Sequence, residues 1–136
     1  MYIIVAGCGK IGANLVKTLS NDGHDVVVID PNEENFAQLE NGTNCLTITG
    51  MPIDEDVLKS AGIERADALL AVTSDDNVNI MTAQIASQLY HVPHVVTRVY
   101  DPEKDEVLRH MGLTTVCPTM LTVAKISSLL GEPEEE

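Results

Sequence analysis

Short apolar runs alternate along this chain with stretches whose apolar residues recur every three or four positions. Tyr2-Ile3-Ile4-Val5-Ala6 is β-branched and long enough for one buried strand. Ile11, Leu15 and Leu19 follow at four-residue spacing and predict a helix, which Asn21-Asp22-Gly23 ends. Val26-Val27-Val28-Ile29 is a second buried strand, closed by Asp30. A polar helix is predicted from Asn32 to Glu40, with Phe36 and Leu39 inward and Gly42 as terminator. Cys45 to Thr49 is the third strand, ending at Gly50. Asp54 caps a short helix with Val57, Leu58 and Ala61 as apolar positions, closed by Gly62. Ala68 to Val72 is the fourth strand. Val78, Met81, Ile85 and Leu89 mark a helix from Val78 to Tyr90, and that stripe reads as core. The fifth strand is His94 to Val99, and a helix runs from Asp101-Pro102 to Met111. Thr114 to Cys117 is the sixth strand, and Pro118 opens a last helix, Thr119 to Leu130.

Strands alternating with helices imply an α/β fold, a Rossmann-like doubly wound parallel sheet of six strands with helices on both faces. The expected strand order is 3-2-1-4-5-6. Ligands then bind at the carboxyl ends of the strands, where the order reverses.

That edge carries the most specific local signal. Between the first strand and first helix lies Gly7-Cys8-Gly9-Lys10-Ile11-Gly12, a G-x-G-x-x-G. Gly7 lets the chain turn out of the strand. Gly9, without Cβ, lets a phosphate approach the backbone, and Gly12 lets the helix pack on the sheet. The unpaired N–H groups at the helix start and the positive end of its dipole would face that phosphate. Asp30 comes 18 residues after Gly12, at the tip of the next strand. There its carboxylate can accept hydrogen bonds from both ribose hydroxyls. Lys10 suits a phosphate-rich ligand.

Other groups converge on the same edge: the Gly50-Met51 corner, Thr73-Ser74, and Arg98. Thr73 and Ser74 either contact the ligand or only cap a helix. Arg98 either meets a phosphate or pairs with Asp76 or Asp101. His24, His91, His94 and His110 are scattered without metal spacing, so no metal site is expected.

Composition narrows the functions. The chain has 136 residues, one domain of ordinary size, with no Trp and one Phe, so its core must be aliphatic. A net charge of −13 argues against binding nucleic acid through its phosphates or docking on anionic lipid. Cys8, Cys45 and Cys117 lack metal spacing and read as reduced thiols, Cys45 and Cys117 on buried strands and Cys8 accessible in the turn. No signal peptide and no membrane-spanning run is expected, which points to the cytosol. The residues divide into a nucleotide-binding domain, 1–131, and an acidic tail, 132–136.

With these residues in hand, the chain resembles the N-terminal nucleotide-binding domain of the RCK (KTN) regulators, the TrkA/KtrA-type cytosolic subunits of potassium transporters and channels. The resemblance rests on YIIVAGCGKIG, HDVVVID, ADALLAVTSDDNVN, TRVYDPEKDEVLRHMG and TTVCPTMLTVAKI, and covers residues 1–131. It implies a cytoplasmic, non-enzymatic ligand sensor at the inner face of the cell membrane. Such a sensor binds NAD(H) or ATP, ADP or AMP, forms dimers and often rings, and gates a membrane-embedded potassium transporter or channel. By position, Asp30 with Pro31 holds the ribose, residues 7–12 hold the phosphates, and Gly50 and Met51 flank the adenine. Lys10 falls where ATP-responsive members carry an Arg. The chain departs from the family in Gly50-Met51, where many members have Gly-Asp, and in Pro118-Thr119-Met120, where some place a cation carboxylate. The C-terminal ligand-sensing subdomain common in the family has no counterpart in these residues, which read as a truncated or a short form.

The competing reading, a small NAD-dependent oxidoreductase, needs a substrate domain and a proton-transfer group. The sequence offers no Tyr-x-x-x-Lys pair or His–Asp arrangement for that work. NADP(H) is disfavoured, because Asp30 repels a 2′-phosphate and Pro31, Asn32, Glu33 and Glu34 bring no compensating cation. The last helix is apolar nearly all round, so a second face is expected to pack on another subunit as a dimer.

Overall fold

The computed structural model describes residues 1–39 and 43–131. Glu40, the terminator Gly42 and the acidic tail lie outside the described residues. The strands are β1 Tyr2–Ala6, β2 Asp25–Asp30, β3 Cys45–Thr49, β4 Ala68–Ala71, β5 His94–Arg98 and β6 Thr114–Val116. They form one parallel sheet in the order β3-β2-β1-β4-β5-β6, as the alternating pattern predicts. The register aligns Ala6 with Ile29 and Ala71, and Asp30 with Thr49. The loops that leave Ala6, Asp30, Thr49 and Ala71 therefore share one edge.

The helices are α1 Lys10–Asn21, α2 Glu55–Ser60, α3 Asp76–Gln84, α4 Pro102–His110 and α5 Pro118–Leu129. Alternate strand residues feed two aliphatic layers. Ile4, Val27, Ile29, Leu69 and Ala71 meet Leu58, Ala61, Ile63, Ala86 and Val92 on one face. Ile3, Val5, Val26, Val28 and Ala68 meet Ala13 and Val16 of α1 on the other. Gly12 has no room for a side chain, since a Cβ there would lie 1.8 Å from the Gly7 carbonyl oxygen. Its absence is what lets α1 lie this close to the end of β1.

Several expectations need correction. The polar helix expected from Asn32 is a 3₁₀ helix, Glu33–Gln38. Asn32 caps it, and Asp30 draws it tight by accepting from Asn32 N at 2.8 Å and Asn35 Nδ2 at 3.0 Å. Phe36 and Leu39 do face inward, half-buried against the α1 layer.

The α3 stripe meets the core at Ile85 and is otherwise out of phase. Met81 is 50% and Leu89 60% exposed, while Asn79, Thr82, Ala83 and Ala86 face the sheet. The helical period is right, but Asn79 pins the rotation. Its Nδ2 donates to the Thr73 and Arg98 carbonyls at 2.9 Å each, and small neighbours then let the helix lie close. The helix ends in a π-helical turn, Ile85–Leu89.

Cys45 and Leu46 lie on an edge strand flanked only by β2, so Cys45 is half-buried and Leu46 67% exposed. Cys117 is buried as expected, but it is the N-cap residue of α5 instead of part of a strand.

The last correction concerns α5. None of its residues is buried, and Met120, Leu121, Val123, Ile126 and Leu129 are each at least half exposed. The helix is tied down at its start, where Thr119 Oγ1 donates to the Tyr100 carbonyl at 2.8 Å. Its apolar surface packs on no layer of this chain's sheet, so both faces, rather than one, stand uncovered.

Candidate functional site

The glycine turn leaves β1 at Gly7, whose φ of +111° is a conformation L side chains rarely adopt. A Cβ there would also strike the Thr73 backbone nitrogen at 2.9 Å. Gly7 N donates to the Ile29 carbonyl at 2.8 Å, fastening the turn to β2. Gly9 is the N-cap of α1, with an ordinary φ of −79°, and a Cβ on it would meet nothing within 4 Å. No side chain caps α1 and its first turn carries no acid. The first N–H groups of a helix have no intrahelical acceptor, so an uncapped start beside an open Gly9 favours an anion. Lys10 is exposed at the first helical position, followed by exposed Ile11 and buried Gly12.

Asp30 is 6% exposed at the end of β2. Its Oδ2 accepts from Cys8 N at 2.9 Å, and its Oδ1 accepts from Asn32 N and Asn35 Nδ2. A carboxylate offers about four acceptor positions, and the described residues use three of these. The 30–31 and 49–51 corners adjoin, since Gly50 N donates to the Asp30 carbonyl at 3.1 Å. Pro31 and Met51 are exposed there, and Gly50 has no space for a Cβ, which would lie 2.7 Å from Val57 Cγ2.

The turn, Asp30 and the Gly50 corner are thus joined by hydrogen bonds, and Thr73 abuts Gly7. The Thr73 hydroxyl is used within its loop, donating to Asn79 Oδ1 at 2.7 Å, while Asp75 is the residue that caps α3. Ser74 is exposed and lines a polar groove with Asp75, Asp76, Asn77, Tyr100 and Lys104. Arg98 forms no ion pair with Asp76 or Asp101. It donates from Nη1 to the Val72 carbonyl at 3.2 Å and stacks over the Tyr100 ring at 4.2 Å. Burial pushes its pKa down, and Asp76 opposes that shift. Asp76 instead accepts from Tyr100 N and Asp101 N, bridging the loops after β4 and β5.

Cys8 differs from its expected accessibility. Its side chain is buried in the α1 layer, and the thiol pKa is pushed up to about 11, first by burial, then by the Asp30 and Cys45 charges. It stays a neutral thiol at pH 7, and its Sγ donates to the Asn35 carbonyl at 3.5 Å. Sequence reasoning missed Asn35, Gln38 and Asn79. Only Asn79 had a signal, an amide at helical spacing from the sheet-facing small residues.

No helix among the described residues is long and apolar enough to cross a membrane. No three His, Cys, Asp or Glu side chains among them converge as a metal site would.

Comparison with known proteins places this geometry in context. The family model of the TrkA-N domain matches residues 3–119. The Trk system potassium uptake protein TrkA of Streptomyces coelicolor is 39% identical over 122 residues, covering 90% of this chain and 55% of that protein. This chain spans about half the length of the first such relatives. Among solved structures, the GsuK channel bound to NAD superposes with a TM-score of 0.71 at 26% identity, over 86% of this chain and 21% of that one. The Kef C-terminal domain of Shewanella denitrificans, in an AMP-bound form, shares the fold with a TM-score of 0.81 at 19% identity, over 97% of this chain and 83% of that one.

Proposed function

Because the chain belongs to the TrkA-N domain family, we propose that it is the nucleotide-sensing part of a cytosolic regulator for a potassium uptake system or channel. The ligand is NAD(H) or ATP, ADP or AMP, and the chain performs no catalysis. The observation that carries this reading is the open space at Gly9, in front of an uncapped α1 and beside the Asp30 carboxylate that holds Cys8 N. Phosphate oxygens accept from the first N–H groups of α1, with Lys10 adding charge. Asp30 accepts one ribose hydroxyl, and Gly50 and Met51 border the adenine. Thr73, Ser74 and Arg98 lie beyond the turn, towards the phosphates. The relatives' names support the potassium system, and the GsuK channel has been solved with NAD and with ADP.

Thermal shift tests the reading. A nucleotide at 100 times its dissociation constant stabilises by about 2.7 kcal/mol, and the melting point should rise by roughly 8–12 °C. NADPH at equal concentration is expected to give a far smaller shift than NADH, because a 2′-phosphate meets the Asp30 carboxylate. Equal shifts for the two would remove the ribose role of Asp30, and no shift with any nucleotide would remove the site.

In this proposal the exposed apolar surface of α5 seats on a second copy, giving a dimer that higher rings are built from. Nucleotide exchange then changes the subunit arrangement and, through it, a membrane-embedded partner. Leu129, 73% exposed, and Leu130, 75% exposed, lie at the C-terminal end of α5. Replacing both with Lys should turn a light-scattering dimer into a monomer while the nucleotide thermal shift persists. A wild-type chain that is monomeric at high micromolar concentration would rule the α5 dimer out.

A further inference from the structure

Cys8 stands in the middle of the glycine turn, and each of its polar atoms is held by the neighbouring β2–3₁₀ segment. Its N–H donates to Asp30 Oδ2 at 2.9 Å, its thiol to the Asn35 carbonyl at 3.5 Å, and its carbonyl accepts from Gln38 Nε2 at 3.0 Å. Side chains three apart eclipse one another in a 3₁₀ helix, so Asn35 and Gln38 of Glu33–Gln38 project on one side. Asn35 thus reaches Asp30 Oδ1 with its amide while its backbone carbonyl takes the Cys8 thiol, and Gln38 reaches the turn itself.

The Gln38 bond has a directional consequence. The peptide joining Cys8 to Gly9 is planar and trans, so its carbonyl and its N–H point in opposite directions. With the carbonyl turned towards Gln38, the Gly9 N–H points away from the 3₁₀ helix. Nothing packs on Gly9 from the side where a Cβ would stand. The orientation of that peptide therefore depends on Gln38.

We infer that Gln38 is a positioning residue, anchored through Asn35 and Asp30, that aims the Gly9 N–H and the following helix start at a bound phosphate. This inference rests on the nucleotide reading above. Gln38 is itself solvent-exposed, so its removal opens no core.

The test is Gln38→Met in the full chain, which keeps the length of the side chain and removes the donor. Calorimetry with ADP and NADH, NMR titration with millimolar adenosine, and melting without ligand are compared with wild type. Loss of one oriented hydrogen bond should weaken the tighter of ADP and NADH by about three- to tenfold. Adenosine, which has the ribose and base but no phosphate, should keep its affinity within about twofold, and the ligand-free melting point should fall by no more than a few degrees. If ADP and NADH bind the variant as they bind wild type, Gln38 does not position the turn, and the nucleotide reading stands. If adenosine weakens in step with ADP, Gln38 acts on the ribose side or on the whole fold, and the inference fails. If wild type binds neither ADP nor NADH, the nucleotide reading fails and takes this inference with it.

Discussion

Gly12→Ala is expected to leave the chain unable to hold its fold, while Gly9→Ala folds normally and loses its nucleotide. The two glycines are three residues apart in one turn, and their surroundings are opposite. A Cβ on Gly12 would sit 1.8 Å from the Gly7 carbonyl oxygen and 2.8 Å from its carbon. Both are backbone atoms, so no side chain can swing aside. Either α1 lifts from β1, exposing Ala13 and Val16, or the turn at Gly7 breaks. The cost should exceed about 4 kcal/mol, a large part of the 5–15 kcal/mol typical of a domain. A Cβ on Gly9 meets nothing within 4 Å, and φ of −79° suits any residue. Alanine at an N-cap costs only about 0.5–1 kcal/mol. The methyl group then occupies the space that a phosphate needs, and affinity for ADP or NADH should fall by about 100-fold, some 2.7 kcal/mol. Urea denaturation reads the first effect and calorimetry the second. A Gly9→Ala protein with full affinity would mean that the phosphate lies elsewhere.

Asp30→Ala should remove ligand response and stability together. The carboxylate is 6% exposed and accepts from Cys8 N, Asn32 N and Asn35 Nδ2. Alanine strands those donors. With partial access to water, the loss should be about 2–4 kcal/mol, or a melting point lower by roughly 8–15 °C. In the proposed reading Asp30 also accepts from the ribose, so the nucleotide-induced shift should vanish for every ligand. A normal melting point would show that the three bonds contribute little. A normal melting point with an intact nucleotide shift would remove Asp30 from the site as well.

Much of this was legible from side-chain pattern. β-branched runs gave the strands, and alternation of strand and helix gave the parallel order β3-β2-β1-β4-β5-β6. The turn glycines and Asp30 were legible because each answers a backbone or charge requirement that few other residues meet. Legibility ended where the chain's own hydrogen bonds decide the geometry. The apolar stripe of α3 suggested one rotation, and the amide of Asn79, bonded to the Thr73 and Arg98 carbonyls, imposes another. Burial of Cys8 could not be read from a turn motif, because it depends on how closely the 3₁₀ helix approaches. Gln38 was invisible because its partner is a carbonyl oxygen, which every residue carries. Cys45 read as lying on a buried strand, whereas a strand at the sheet edge has a neighbour on one side only, so Cys45 is half-buried.

The uncovered surface of α5 has a consequence for how this chain must be handled. Apolar area left in water by one chain is removed from it when chains associate, so any such association is linked to folding by mass action. Melting points should then climb with dilution series run in reverse, from nanomolar towards millimolar chain. A ligand that alters how tightly two copies hold each other would show an affinity that drifts with the amount of protein in the cell. For such a molecule, subunit abundance is itself an input, on the same footing as the nucleotide.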